Sequence, residues 1–162
     1  MADGRGLPRG ALPAGALVAA AVLGLAVVGC GGGDAAGATV SVYVAAPLCA
    51  GAKSELAAHG AAAGHFTVAV RCLAPSERVG GGIDLARTGS NSRRATADTS
   101  AVATLEPPGP GTKFSRPILE SAGVPLVTAR SGGSGLKQIL SAVEAAGSSA
   151  VRESVQSTLE PS

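Results

Sequence analysis

Four short runs of β-branched and small apolar residues recur along this chain, and between them lie stretches with helical spacing. The first run is Thr39-Val40-Ser41-Val42-Tyr43-Val44; the others cover residues 66–70, 101–105 and 124–127. Strands that alternate with helices form βαβ units, wound right-handedly, with the helices laid on the sheet. The pattern predicts an α/β fold: a small doubly wound parallel sheet of about four strands, in order 2-1-3-4 counted along the chain, with helices on both faces. In such a sheet ligands settle beyond the carboxyl ends of the strands, where the strand order reverses. Those ends are residues 45–47, 107–112 and 128–135.

The intervening segments differ in strength. Pro47 opens the first helix in a position that tolerates proline, Leu48, Ala52 and Leu56 recur at helical spacing, and Gly60 stops it. Residues 83–99 are poorer: Leu85, Ala86 and Ala95 suggest a helix, but Gly89, Ser90, Asn91 and Ser92 oppose it by propensity. The proline- and glycine-rich stretch 107–111 reads as a loop. A helix follows from Lys113 to Ala122, with Pro117 near its first turn and Gly123 as C-cap. The clearest helix carries Leu136, Ile139, Leu140 and Val143 on one stripe and ends at Gly147. Residues 148–162 read as a polar tail or a short helix around 151–159. Tyr43, Phe66 and Phe114 are the whole aromatic set, so the core is built from Val, Leu, Ile and Ala, which predicts modest stability.

Residues 1–29 read as a leader. Arg5 and Arg9 give a positive start, an apolar stretch of ~18 residues runs from Ala11 to Val28, and Gly29-Cys30 follows. Small residues ending in Cys resemble the bacterial lipobox. That resemblance implies cleavage before Cys30, a lipid on its thiol, and a protein tethered on the outer face of the cell membrane, since two acyl chains on one residue hold a protein stably. A plain secretory signal, or a transmembrane anchor with a chance Cys, is the alternative. Residues 30–38, rich in Gly and Ala, read as a flexible tether. Loss of Arg5, Arg9 and Asp3 with the leader takes the formal net charge from +2 to +1, which argues against a nucleic-acid partner. Cys49 and Cys72 form an even pair. In an exported chain that favours a disulfide over two buried thiols, a metal site or redox chemistry.

Three segments carry a family resemblance. The first is Val42-Tyr43-Val44-Ala45-Ala46-Pro47-Leu48. The second runs from Ala101-Val102-Ala103-Thr104-Leu105-Glu106 to Pro117-Ile118-Leu119-Glu120-Ser121-Ala122-Gly123-Val124-Pro125-Leu126-Val127. The third is the Ser/Gly-rich turn after it. Together they resemble the first lobe of type I periplasmic binding proteins, closest to the Leu/Ile/Val receptors of ABC importers. The resemblance covers about residues 39–147, one lobe of a two-lobe family. It leaves open a lobe-only relative, a truncated product, or half of a complex. It implies a solute-binding protein for amino-acid import, with a small-molecule ligand and an ABC permease as partners and no cofactor. The alternative is a vestigial lipoprotein that acts as an interaction module without its own ligand.

The resemblance also places ligand contacts. The turn after the third strand matches Gly109 and Thr112, where prolines and glycines replace the family's serine-rich run and only Thr112 keeps a hydroxyl. The turn after the fourth strand matches Thr128, Arg130, Ser131 and Gly132; Gly132 stands where the family has a threonine, and Arg130 where it has a small residue. From the residues themselves, Arg130 beside the start of a helix could pair a small carboxylate, or Ser131 or Ser134 could simply cap that helix. Glu106, at a strand end, is a ligand contact or a capping acid. No residue constellation supports catalysis: no P-loop and no Gly-x-Ser-x-Gly elbow occurs, and His59 and His65 do not sit at zinc-ligand spacing.

Overall fold

The computed structural model describes residues 37–146 and 151–159. The leader, Cys30, most of the tether and Gly147 lie outside the described residues. The described elements, all within one compact unit, run β1 (Thr39–Val44), α1 (Ala46–His59), β2 (Ala62–Ala63), β3 (Phe66–Cys72), α2 (Leu85–Ala97), β4 (Ala101–Glu106), α3 (Pro110–Ser121), β5 (Leu126–Thr128), α4 (Gly132–Ala146) and α5 (Val151–Leu159).

The sheet has five strands in order β2-β3-β1-β4-β5. Its four parallel strands stand in the expected order. The addition is β2, two alanines pairing antiparallel with Phe66 and Thr67 at the β3 edge. The winding follows from handedness. A right-handed crossover from β1 to β3 puts α1 on one face. The order then reverses, so the crossovers to β4 and β5 put α2 and α3 on the other. The α1 face, shared with α4 and α5, holds the larger core: Val42 and Val44 of β1, Val68 of β3, Leu105 of β4, and Leu136, Ile139, Leu140 and Val143 of α4. Ser41 pairs with Ala101 and Val42 with Ala103. Val102 is thus the extra residue of a β-bulge, and both Val102 and Ala103 join this core.

The α2–α3 face is different. Its apolar cluster is small, built from Tyr43, Leu73, Ala95, Ala101, Leu119 and Val124. The buried polar residues Ser41, Thr104 and Glu106 of the sheet lie on this side, facing Thr88, Ser92, Thr112 and Ser115 of the helices. The Thr104 hydroxyl is buried without a hydrogen-bond partner, a burden of about 1–3 kcal/mol. This half of the molecule is held by specific hydrogen bonds more than by apolar area.

Those bonds explain why α2 forms against its propensity. The Asp84 carboxylate accepts from the Arg87 N–H at 3.0 Å, an N-cap worth about 1 kcal/mol. Asn91 Nδ2 donates to the Ala74 carbonyl at 2.8 Å, and Ser92 turns its hydroxyl back on Thr88 O at 3.0 Å. Other boundaries also moved. Helix α3 starts at Pro110 rather than Lys113, so Pro117 sits inside it, and its C-cap is Ala122, followed by Gly123 at φ +64°. The tether ends before Gly37, whose N–H donates to His65 O at 2.8 Å.

A second polar cluster secures the start of β4. Asp98 accepts from the Ser100 hydroxyl at 2.6 Å, the Ser100 N–H at 2.8 Å and Tyr43 OH at 2.8 Å. Arg152 of α5 donates to the Ala101, Asp98 and Thr99 carbonyls. The Ser100 hydroxyl first, then Tyr43 and the Ser100 N–H, hold Asp98 down at about 2 against the opposing effect of burial. A carboxyl with a depressed folded-state pKa stabilises fully above its unfolded value of about 3.9 and loses that contribution as pH falls through the folded value. Denaturant unfolding between pH 4 and pH 2 is therefore expected to show falling stability in the wild type and a shallower fall in Asp98→Asn. Equal slopes would remove Asp98 as the cause.

Candidate functional site

Strands β1 and β4 are neighbours at the reversal of strand order, and their connections leave to opposite faces. A crevice opens between them at the carboxyl rim, as this topology requires. It encloses a cavity of about 180 Å³. Ala45 and Pro47 of the β1–α1 turn form one side and Pro107 to Thr112 of the β4–α3 turn another. Thr88 and Asn91 of α2 and the β3–α2 loop complete the wall.

That loop is braced rather than slack. Glu77 and Ile83 form a bridge, and Asp84 N–H donates to Ser76 O at 2.7 Å. Gly80, Gly81 and Gly82 all have φ near +90°, a turn that residues with a Cβ rarely adopt. The tip leaves Val79 fully exposed, while Glu77 and Ile83 line the cavity.

Glu106 ends β4 beside the cavity and is 7% exposed. It is not a helix cap. Its Oε2 accepts the Ser115 hydroxyl of α3 at 2.6 Å. Burial raises its pKa above the usual carboxylate range, while hydrogen bonding from Ser115 and the charge of Arg116 pull the other way. Burial therefore disfavours the charged form of Glu106.

The expected ligand residues separate into three places. Gly109 and Thr112 line the crevice, Gly109 as the N-cap of α3 and Thr112 with its hydroxyl donated to Pro107 O at 2.6 Å. Thr128 lies instead at the end of edge strand β5, in a separate groove of about 470 Å³ with Arg116, Glu120 and Gln138. Ser131 caps α4: Ser134 N–H donates to Ser131 Oγ at 3.3 Å and the two hydroxyls meet at 2.8 Å. Gly132 is buried against α1, where a Cβ would overlap the Leu48 carbonyl oxygen and come within 2.6 Å of Ala52 N. Arg130 is exposed and forms no ion pair or hydrogen bond among the described residues. Thr88, Asn91 and Glu77 were not anticipated at the crevice, because they come from the weakly patterned α2 segment and the loop before it.

Cys49 of α1 and Cys72 at the end of β3 are joined in a disulfide, with Cα atoms 5.7 Å apart. It ties α1 to the strand end that feeds Leu73 and Ala74 into the crevice wall.

The fold and crevice define a small doubly wound α/β lobe with a pocket at its topological switch point. No family model matches the chain, and no curated relative and no solved structure matches it.

Proposed function

We propose that this chain is a solute-binding lobe, displayed outside the cytoplasm on a lipid anchor at Cys30, whose ligand occupies the crevice between the ends of β1 and β4. The crevice is the observation that carries the reading. It is concave, lies where parallel sheets bind ligands, and combines apolar walls with a few convergent polar groups. The disulfide agrees with an oxidising compartment. The resemblance to type I binding proteins supports a place in ABC-type import, with amino acids of the branched-chain type as the first ligands to test.

Calorimetric titration of the lobe from Gly31 onward with amino acids, organic acids, sugars and amines tests the reading. Saturable heat with at least one ligand class is expected. Absence of heat and of any thermal shift across the whole panel would overturn solute binding. Fatty-acid labelling of the full chain should disappear in Cys30→Ala, and equal labelling of both would remove the anchor.

A second reading, an interaction module without its own ligand, is favoured by one observation. Val79, Leu85 and Phe114, the large hydrophobic residues exposed among the described residues, all lie between β3 and the first half of α3. A silent panel would support it.

A further inference from the structure

We infer that the switch-point crevice selects a small organic cation, a primary amine on a short, mainly apolar body, and turns away carboxylates. This rests on the solute-binding reading above but replaces its branched-chain amino acids, which carry a carboxylate, with amines.

The charges come first. The charged side chains lining the crevice are two carboxylates, Glu77 and Glu106, with no Lys, Arg or His among its lining residues. The nearby cations stand outside this lining, although the charge of Arg116 reaches Glu106. Arg116 pairs with Glu120 at 3.0 Å on the wall of the other groove, and Arg78 and Arg87 act on Asp84. An anionic ligand would meet the exposed Glu77 and the buried Glu106, whereas an ammonium would supply Glu106 with a partner.

Hydrogen-bond direction points the same way. The Thr88 hydroxyl donates to Asp84 O at 3.0 Å and the Thr112 hydroxyl to Pro107 O at 2.6 Å. The single proton of each is thereby committed to the protein, and each hydroxyl can offer only lone pairs to the crevice. Pro47, Pro107, Pro108 and Pro110 line the same space and bring no backbone N–H. The positive ends of α1 and α3 would favour an anion, but each helix carries a proline in its first turn, so part of the N–H array that delivers that field is missing. Acceptors predominate among these side chains, the donors left being the second amide proton of Asn91, whose first goes to Ala74 O, and the Ser76 hydroxyl. An ammonium, with three donors and no acceptor, complements such a lining.

Size limits the body. A volume of about 180 Å³ equals roughly six waters at ~30 Å³ each, room for a chain of a few carbons.

The test uses matched ligands on the lobe from Gly31 onward: 3-methylbutylamine, leucine, which is the same amine with a carboxylate added, and isovalerate, in which a carboxylate replaces the aminomethyl group. The amine is expected to bind at least tenfold tighter than leucine, with no heat from isovalerate. Glu106→Gln, which keeps the shape, should weaken amine binding at least tenfold, because it removes the group with which an ammonium would pair. Leucine or isovalerate binding as tightly as the amine would overturn the inference and leave solute binding standing. Unchanged amine affinity in Glu106→Gln would also overturn it. If every ligand of the broad panel is silent, the solute-binding reading itself fails and takes this inference with it.

Discussion

Gly132→Ala is expected to destabilise the protein by about 2–3 kcal/mol. The added methyl would overlap the Leu48 carbonyl oxygen and lie 2.6 Å from Ala52 N and 2.9 Å from Leu48 C. These are backbone atoms of α1, so no rotamer change relieves the overlap, and one helix must move off the other. Overpacking of this kind costs about 1–3 kcal/mol or more. The gain in helix propensity from alanine is at most about 1 kcal/mol, so the steric effect wins. Gly133→Ala is the control. Its Cβ would meet the Glu55 carboxylate at 3.5 Å and Gly51 O at 3.8 Å, ordinary contacts, so it should be neutral or stabilising by up to about 1 kcal/mol. Urea unfolding of both variants decides the matter. In thermal terms the Gly132 variant should melt lower by roughly 10 °C. Similar effects for the two variants would mean that close approach of α1 and α4 is not what fixes glycine at 132.

That glycine shows how much of the site could be read in advance. The resemblance put residue 132 among the ligand contacts, because the turn after a parallel strand is a binding position in such sheets. What the sequence does not state is which helix lies alongside. The α1–α4 approach joins residues some eighty positions apart, and only the folded layers reveal that a Cβ has no room. The sheet itself was legible. Apolar runs broken by helical spacing, together with the fixed hand of βαβ crossovers, leave only a few orders for four parallel strands, and the expected 2-1-3-4 is among them. Strand β2 was not legible, since Ala62 and Ala63 carry no β preference and pair only because the chain turns back beside Phe66 and Thr67. The start of α3 was obscured by composition: Pro110 and Gly111 read as loop, yet proline fits the first turn, where its missing N–H has no helical partner. Gly109 and Thr112, expected as ligand contacts, line the crevice. Glu106 was visible as a residue but not as a buried one, because its burial depends on Ser115 of α3 and on the α2 layer above it.

Removal of the Cys49–Cys72 bond is the other change with a large expected effect. The bond closes a loop of 23 residues, which on the chain-entropy model stabilises by about 3 kcal/mol. Against a core with few aromatic side chains, that is a large share of a typical margin of about 5–15 kcal/mol. The double variant Cys49→Ala/Cys72→Ala is expected to lose about this amount. Dithiothreitol should lower the urea midpoint of the wild type and leave that of the double variant unchanged. A wild-type midpoint insensitive to reductant would show that the bond adds nothing. The position of the bond predicts a second effect. Cys49 is buried in α1 and Cys72 ends β3; the next residues, Leu73 and Ala74, line the crevice, and Leu73 N–H donates to Val44 O at 2.8 Å. Reduction should therefore loosen the crevice wall before the sheet unfolds, because Cys49 is one of many apolar residues in the larger core, whereas Cys72 is exposed at the strand end that leads straight into the wall. Ligand affinity measured in reductant, at urea concentrations where far-UV circular dichroism is still native, should fall while the secondary structure holds. Affinity and structure lost together would mean that the bond secures the whole fold and has no separate hold on the crevice.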